Sequence, residues 1–328
     1  MNSNTSYLLT IAIPTWNRAS LLEEALNRIE KQVKAFKDSI EIVISDNASS
    51  DNTPEIISGF INRNASLKVI SNRQKVNTGY FGNFNMVRQL SSGKYLWILS
   101  DDDFIEPGVL NMVMSCLDTS KNVETLFLDY WDTNYKNIQA LQLNENIESL
   151  INRRAYRLTL ISSVIFLNNK KRDEFLIKKY QNNSFWGFLL FLSSVNTNSL
   201  SKTISGPSLA TSRGEVSFNI FRSWIEDMSQ CVEYMKELHL SEKTINSFVN
   251  SFLETIVRSH YLNAKLLKKN IKRTDSLTDI EKRLIKHYGE YTSFEDNIGT
   301  LIRKNYLSLC IYFIYKKVVS KIRKKLIK

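Results

Sequence analysis

The chain has 328 residues, 43% of them hydrophobic and 23% charged, enough for one large domain or two modest ones around a sizeable core. Its three cysteines, Cys116, Cys231 and Cys310, and three histidines, His239, His260 and His287, are scattered, which excludes a disulfide framework and zinc-ligand spacing and points to a reducing compartment. The net charge of +11 is one-sided, because residues 1–115 carry 11 Lys and Arg against 12 Asp and Glu and the remainder carries 33 against 21; nucleic acid or an anionic membrane would explain that basic C-terminal part.

The stretch Met1 to Tyr7 is polar, without a basic start and an apolar centre, so no secretory leader is expected. No run of about 18 apolar residues occurs, so no spanning helix is expected. Leu8–Ile13 reads as a first strand, stopped by Pro14. Ser20 or Asn17 can cap a helix through about Phe36, with Leu22, Ala25, Leu26, Ile29 and Val33 on one face. Ile40–Ile44 is a second strand ending at Asp46-Asn47, and Thr53-Pro54 opens a second helix, Thr53 as cap and Pro54 at the first helical position. Leu67–Ile70 is a third strand, a helix lies within Tyr80–Ser92, and Tyr95–Leu99 is a fourth strand. Helix Pro107–Leu117 and strand Glu124–Leu128 continue the alternation. Such a pattern predicts an α/β fold, a Rossmann-like, mostly parallel sheet with helices on both faces. Beyond Asp129 the order loosens: Arg157–Leu167 reads as a strand, Phe185–Val195 as strand or helix, and the chain from Phe221 onward as helical.

The fourth strand runs straight into Asp101, Asp102 and Asp103. Ligands of open α/β sheets bind outside the carboxyl ends of the strands. Three adjacent acids there repel one another and need a cation to stay ionised together. Oxygen ligands of this kind suit Mg2+ or Mn2+, with phosphate oxygens completing the shell. Helix capping would require one acid, not three.

Three further polar segments fall at carboxyl ends of strands: Pro14-Thr15-Trp16-Asn17-Arg18, Asp46-Asn47-Ala48-Ser49-Ser50-Asp51 and Asn77-Thr78-Gly79. In order and spacing, these and the acid cluster resemble the family 2 glycosyltransferases of GT-A fold, over roughly residues 8–115. The variant Gly82-Asn83-Phe84-Asn85 together with Leu99-Ser100-Asp101-Asp102-Asp103 is most similar to the abequosyltransferase-like members, which act on bacterial surface polysaccharides. The resemblance implies a GT-A catalytic domain over 1–220, with a nucleotide-sugar half at 8–115 and an acceptor half at 116–220, followed by a helical, basic region at 221–328.

Carried over residue by residue, Pro14, Thr15, Trp16, Asn17 and Arg18 match the loop that holds the nucleotide. Trp16 either stacks on the base or fills the core. Asp46, followed by Asn47, matches the acid that accepts from a base N–H. Asn77 and Gly79 match a segment near the diphosphate, where Gly79 allows close backbone approach. Asn85 matches the asparagine of the usual A-R-N triplet, whose alanine and arginine are replaced by Asn83 and Phe84; a cation that faces the donor phosphates in relatives is thereby lost. In the acid cluster Asp102 aligns with the metal-binding acid, Asp101 with a ribose or metal contact, and Asp103 is extra. Either Asp102 or the pair Asp101 and Asp103 is the primary metal ligand.

The implied chemistry is a metal-dependent, inverting transfer of a hexosyl or deoxyhexosyl group from a nucleotide-diphosphate sugar, a UDP-sugar first and CDP- or dTDP-sugars next. A carboxylate takes the proton of the acceptor hydroxyl. The family's Glu-Asp pair has no match at the usual interval, where Asn183–Gly187 lack an acid; Glu226-Asp227 comes later. Asp227 and Asp103 are the candidates. Leu307, Ile311, Ile314, Val318, Ile322 and Leu326 recur at helical spacing among nine cations from Arg303 to Lys328. That pattern predicts a basic amphipathic helix on an anionic membrane, where a lipid-linked glycan acceptor is found, or a helix buried against the core or a second copy as a homo-oligomer. The expected location is cytoplasmic, peripheral on the inner face of the plasma membrane. No recognition motif accompanies the charge, so no nucleic-acid partner is expected. Two other readings are a catalytically degenerate membrane-associated protein of the same fold and a sugar nucleotidyltransferase, though the latter's glycine- and arginine-rich loop is absent after the first strand.

Overall fold

A computed structural model describes residues 7–118, 123–129, 139–196, 199–206, 208–211, 220–267 and 276–304. In chain order its first part runs β1 (Leu9–Thr15), α1 (Ala19–Val33), β2 (Ile40–Asp46), α2 (Thr53–Arg63), β3 (Lys68–Arg73), α3 (Gly79–Leu90), β4 (Tyr95–Ile98), β5 (Asp103–Ile105), α4 (Val109–Asp118) and β6 (Val123–Asp129). It continues with β7 (Gln139–Asn146), α5 (Ile147–Arg154), β8 (Val164–Leu167), α6 (Lys170–Tyr180), α7 (Trp186–Ser194), β9 (Leu200–Ser205) and β10 (Leu209–Thr211). The main sheet has eight strands in the order β3-β2-β1-β4-β8-β6-β9-β7, and β5 pairs with β10 in a separate two-stranded ribbon. β1 is parallel to both β2 and β4, and β2 to β3. β8 runs antiparallel to β4 and to β6, and β7 antiparallel to β9. The sheet is thus mostly parallel, and β3, β2, β1, β4, β6 and β9 present their carboxyl ends at one edge.

The physical reason lies in the apolar runs. Every residue of β1 and β2 is buried, as strands covered on both faces require. Helix α1 buries Leu22, Ala25, Leu26, Ile29 and Val33, the face that its spacing predicts. Ile11, Ile13, Ile42, Ile44, Trp97 and Leu99 join this face in one core cluster with Phe60 and Val113.

Several local expectations need correction. Pro14 does not stop β1; it pairs with Ser45 inside the strand. The Thr15 carbonyl turns toward β2, where it accepts from Asn47 N, so Pro14 faces the other side, beyond the end of β4 at Ile98. Its missing N–H therefore costs no ladder bond. Helix α4 starts at Val109, not Pro107, because Gly108 has φ +84°. β3 runs on to Arg73, since its register follows β2 to the pair Asp46↔Arg73. Arg157–Leu167 is strand only from Val164; short 3-10 turns, Ala155–Thr159 and Ile161–Ser163, precede it. Phe185–Val195 is resolved as helix α7, wholly buried. Neither Thr53 nor Ser20 caps its helix by side chain. Asp51 does both tasks, accepting from Ala19 N at 3.0 Å and from Thr53 N at 3.1 Å.

The chain divides into two compact units: residues 1–215 with 237–240, and residues 216–236 with those from 241 on. The described residues of the second form helices joined by short turns. Three five-residue π segments, Ser223–Asp227, Leu253–Val257 and Glu295–Gly299, interrupt its α-helices. Ser241 and Ser276 cap Glu242–Phe252 and Leu277–Tyr288. Its core stacks Trp224 between Phe252 and His260, with ring centroids 5.4 and 5.9 Å apart. Burial lowers the His260 pKa, favouring the neutral ring. The predicted amphipathic helix lies, from residue 305 on, outside the described residues.

Candidate active site

The loops after β1, β2, β3 and β4 meet at the carboxyl edge, as the parallel order demands. Asp46 is 1% exposed. Its Oδ1 accepts from Ser49 N at 2.9 Å, while Oδ2 accepts no hydrogen bond and lies 3.3 Å from Arg73 Nε. Arg73 also donates to the Ser49 carbonyl at 2.9 Å. A buried carboxylate oxygen with spare acceptor capacity is what a base N–H requires.

Asn47 turns the other way and organises backbone. Its amide donates to Asn77 Oδ1 at 2.9 Å and to the Gly79 carbonyl at 3.1 Å, and its carbonyl oxygen accepts from Thr78 N at 2.9 Å and Thr78 Oγ1 at 3.1 Å. Asn77 Oδ1 in turn accepts from Gly79 N at 2.8 Å. Gly79 has φ +74° and open space where a Cβ would be, so the glycine meets a backbone requirement and not a steric one. Ala48, at φ +61°, and Asn17, at φ +50°, hold the same left-handed conformation in neighbouring loops. Asn17 donates its N–H to Ser49 Oγ and accepts from Ser50 N, tying the first loop to the second.

The acid cluster is built differently. Thr15 Oγ1 donates to Asp101 Oδ2 at 2.7 Å. One terminal nitrogen of Arg18 lies 2.8 Å from Asp101 Oδ1 and 3.0 Å from Asp102 Oδ2. Ser100 Oγ donates to the other oxygen of Asp102. Burial pushes the Asp101 carboxyl above its ordinary range despite Arg18 and Thr15. Burial, with the charges of Asp102 and Asp101 adding to it and a Ser162 hydrogen bond opposing it, pushes Asp103 up to about 7. Asp103 begins β5, and the 3-10 turn holding Ser162 braces the cluster: Ser162 Oγ accepts from Ser100 N at 2.9 Å and its carbonyl from Trp97 Nε1 at 2.8 Å.

Of the predicted residues, Pro14 and Thr15 are buried in β1, and Trp16 is 49% exposed, which excludes core filling. Asn83 donates to the Thr15 carbonyl at 3.1 Å and accepts from Gln74 at 3.0 Å, fastening α3 to the end of β1. Asn85 accepts from Arg88 on its own helix. Asp227 is buried in the second unit, within the π segment Ser223–Asp227, with Arg222 at 3.8 Å. Sequence reasoning missed Arg73 and Ser162, whose roles arise from register and from a turn in a stretch that reads as strand. The Thr15–Asp101 bond, between residues 86 positions apart, carries no local signal at all.

Asp102 is the most open of the three acids, its side chain 20% exposed against 4% for that of Asp101. Its carboxylate at a strand end is the donor chemistry of a hard divalent ion. The residues fit such an ion by type, and in this structure Arg18 supplies the positive charge beside Asp101 and Asp102. Among the described residues no grouping of three His, Cys, Asp or Glu is arranged as a metal site.

Residues 10–166 match the family described as Glycosyl transferase family 2. This stretch is a family 2 glycosyltransferase domain. Over 116 residues the chain is 40% identical to Abequosyltransferase RfbV of Salmonella typhimurium, covering 35% of this chain and 34% of that protein. Over 106 residues it is 36% identical to the Campylobacter jejuni GalNAc(5)-diNAcBac-PP-undecaprenol beta-1,3-glucosyltransferase, covering 32% of this chain and 33% of that one. The matched stretch therefore spans about a third of either relative's length. In three dimensions the chain is similar to S. aureus TarS 1-349, with TM-score 0.61 at 16% identity over 85% of this chain and 81% of the other. It is also similar to mannosyltransferase PcManGT from Pyrobaculum calidifontis, solved with GDP-Man and Mn2+, with TM-score 0.55 at 14% identity over 92% and 83%. At such identities the likeness is one of fold: the family 2 domain here has the GT-A architecture, followed by a helical C-terminal region.

Proposed function

We propose that the protein transfers a hexosyl or deoxyhexosyl group, with inversion, from a nucleotide-diphosphate sugar to a hydroxyl of a lipid-linked glycan in bacterial surface-polysaccharide assembly. The observation that carries this reading is the pairing, at one sheet edge, of a buried acid, Asp46, one of whose oxygens accepts no hydrogen bond, and an acid cluster at the end of β4. Asp46 accepts the N–H of the base, with Arg73 beside it to face a base carbonyl. Trp16, exposed at the mouth of β1, stacks on the base. The loop 77–79, held by Asn47, receives the diphosphate. Asp102, with Asp101 and Asp103, would hold a divalent ion, Mn2+ or Mg2+, which when bound offsets the charge of the leaving diphosphate.

Two carboxylates are suited to take the acceptor proton. Asp103 remains for that task where Asp102 is the primary metal ligand, and burial pushes its pKa up to about 7, where a general base works best. Asp227 sits in a π segment, a feature that recurs at functional sites. The relatives' names place sugar transfer in RfbV and an undecaprenol-linked acceptor in the Campylobacter enzyme; the first supports the reaction class proposed here and the second the acceptor class. No described helix is long and apolar enough to cross a membrane. The nine cations from Arg303 to Lys328 support a peripheral attachment to an anionic inner leaflet.

The test is a thermal-shift and calorimetric panel of UDP-, CDP-, dTDP- and GDP-sugars with Mn2+ and with EDTA. A stabilising nucleotide sugar and its slow hydrolysis are expected; binding without hydrolysis or transfer would favour a degenerate protein of the same fold. Removal of residues 303–328 is expected to abolish co-sedimentation with anionic vesicles while leaving donor hydrolysis intact. Loss of the thermal transition on that truncation would instead make the segment part of the core or of a subunit interface.

A further inference from the structure

We infer, on the reading of this edge as the donor site, that Tyr80 contacts the transferred sugar, its ring against the sugar's apolar face and its hydroxyl hydrogen-bonded to a sugar oxygen. Five large apolar side chains are exposed among the described residues, and three of them, Trp16, Val76 and Tyr80, stand on the loops after β1 and β3 and on the first turn of α3. Exposed apolar side chains ordinarily occur singly, so a group of them at one edge marks a surface that meets a partner or ligand. Tyr80 is also held in place. Its backbone follows directly on the 77–79 segment that Asn47 fixes. Thr78 Oγ1 lies 3.1 Å from Asn47 Oδ1 and 2.7 Å from Gln74 Oε1, and a Cβ at Gly82 would overlap the Thr78 side chain, so the turn closes only around that glycine. One turn on, the ring of Phe84, 5% exposed, lies 4.0 Å from the Tyr80 ring at an inclination of 37°. Phe81 is set edge-on to Trp186 of α7, 5.0 Å away. An aromatic ring that is 47% exposed yet clamped on its inner face has lost its rotamer freedom before any ligand arrives, which is how a contact surface is preorganised.

The surroundings of the ring select the ligand. Burial pushes the Tyr80 hydroxyl pKa upward although nearly half of the residue is exposed. The exposed part therefore opens on a recess walled by protein, where the hydroxyl stays protonated and uncharged. That hydroxyl makes no hydrogen bond to another described residue. A ring face beside an uncharged hydroxyl, which both donates and accepts, is matched by a ligand that carries C–H surface and hydroxyl groups together, as a sugar ring does. It is poorly matched to a phosphate, to which a neutral side chain brings no countercharge. The position agrees with the chemistry. Tyr80 is the residue directly after the segment proposed to receive the diphosphate, and the sugar is the group attached to that diphosphate.

The decisive measurement compares nucleotide sugars with the matching nucleoside diphosphates. UDP, CDP and dTDP, and UDP-, CDP- and dTDP-glucose, are titrated calorimetrically in MnCl2 into the full-length protein as wild type, Tyr80→Phe and Tyr80→Ala. For the nucleotide that wild type binds most tightly, Tyr80→Ala is expected to weaken the nucleotide sugar about tenfold, from loss of the ring contact. Tyr80→Phe is expected to weaken it about threefold, from loss of one hydrogen bond, while the nucleoside diphosphate stays within about twofold of wild type in both variants. Equal weakening of nucleotide sugar and nucleoside diphosphate would mean that Tyr80 serves the nucleotide or only the loop, and overturns the proposal. Unchanged affinity for both, or a wild type that binds a nucleoside diphosphate but none of the nucleotide sugars, overturns it too. Circular dichroism melts check folding, and if Tyr80→Ala does not fold, the loss or retention of affinity in Tyr80→Phe decides. Failure of the donor-site reading would show separately, as a wild type that binds no nucleoside diphosphate, and takes this proposal with it.

Discussion

The loops after β2 and after β4 close the same sheet edge by opposite means. After β2, polar side chains spend most of their hydrogen bonds on backbone: Asn47 on Thr78 and Gly79, and Asp51 on the first N–H groups of two helices. After β4, the side chains Asp101 and Asp102 are held by other side chains, those of Thr15, Arg18 and Ser100. Backbone bonds fix a loop whatever binds to it. Side-chain ion pairs can be exchanged for another cation at modest cost. The first loop is thus suited to recognising a constant part of a ligand, and the second to a step in which charge is redistributed.

If the comparison is right, breaking the second loop should remove chemistry without touching the fold. Asp102→Asn is expected to reduce metal-dependent sugar transfer by roughly 100-fold, with an unchanged thermal melt; full activity of this variant, or of wild type in excess EDTA, would remove Asp102 from the metal site. Breaking the first loop should do the reverse. Asn47→Ala strips four contacts from the 77–79 segment and is expected to cost about 1–2 kcal/mol in urea unfolding, from lost bonds whose freed partners on Asn77, Thr78 and Gly79 are exposed to water. A loss under about 0.5 kcal/mol would show that the segment is held by something else.

Asp46 sharpens the contrast, because it has one oxygen in each role: Oδ1 holds Ser49 N and Oδ2 has no hydrogen bond. Asp46→Ala is expected to weaken donor nucleotide binding by about 1–3 kcal/mol if a buried base N–H is left unpaired; calorimetric affinity equal to wild type would place the base elsewhere. The smallest effect concerns pH. Burial opposes ionisation of Asp51, but hydrogen bonds from Thr53 and Ala19 outweigh it and hold its pKa below the ordinary 3.8. The unfolded chain therefore binds more protons than the folded one just below pH 3.8, and the Asp51 contribution is present above that value and lost as pH falls through the lower folded value. Asp51→Asn should be slightly less stable than wild type at pH 7, with the gap closing below about pH 4; a gap independent of pH would mean that the charge of Asp51 contributes nothing.

Much of the donor half is legible in the residues themselves. The period of α1, the buried runs of β1 and β2 and the acids at the end of β4 are local patterns, and local patterns report which face is buried and where a strand stops. The structure departs from the local pattern at Pro14 and over the Arg157–Leu167 stretch for a common reason. A proline is harmless where no neighbour strand remains on its side, and an apolar run makes 3-10 turns where its carbonyl and hydroxyl, as in Ser162, are needed by Trp97 and Ser100. Neither circumstance can be seen within a window of sequence.

The sequence by itself determined the alternation of strands and helices, the family 2 resemblance, and the set of acids and amides that gather at the carboxyl edge. Those follow from periodicity and from the rule that parallel strands present their ends together. Only the tertiary structure decided what each polar group does there. It brought Arg18 onto Asp101 and Asp102, Arg73 beside Asp46 through strand register, and Thr15 onto Asp101. It left Trp16 exposed and Phe84 buried. The reason is that a carboxylate's role depends on which donors and charges surround it after packing, and those partners come from residues far apart in the chain.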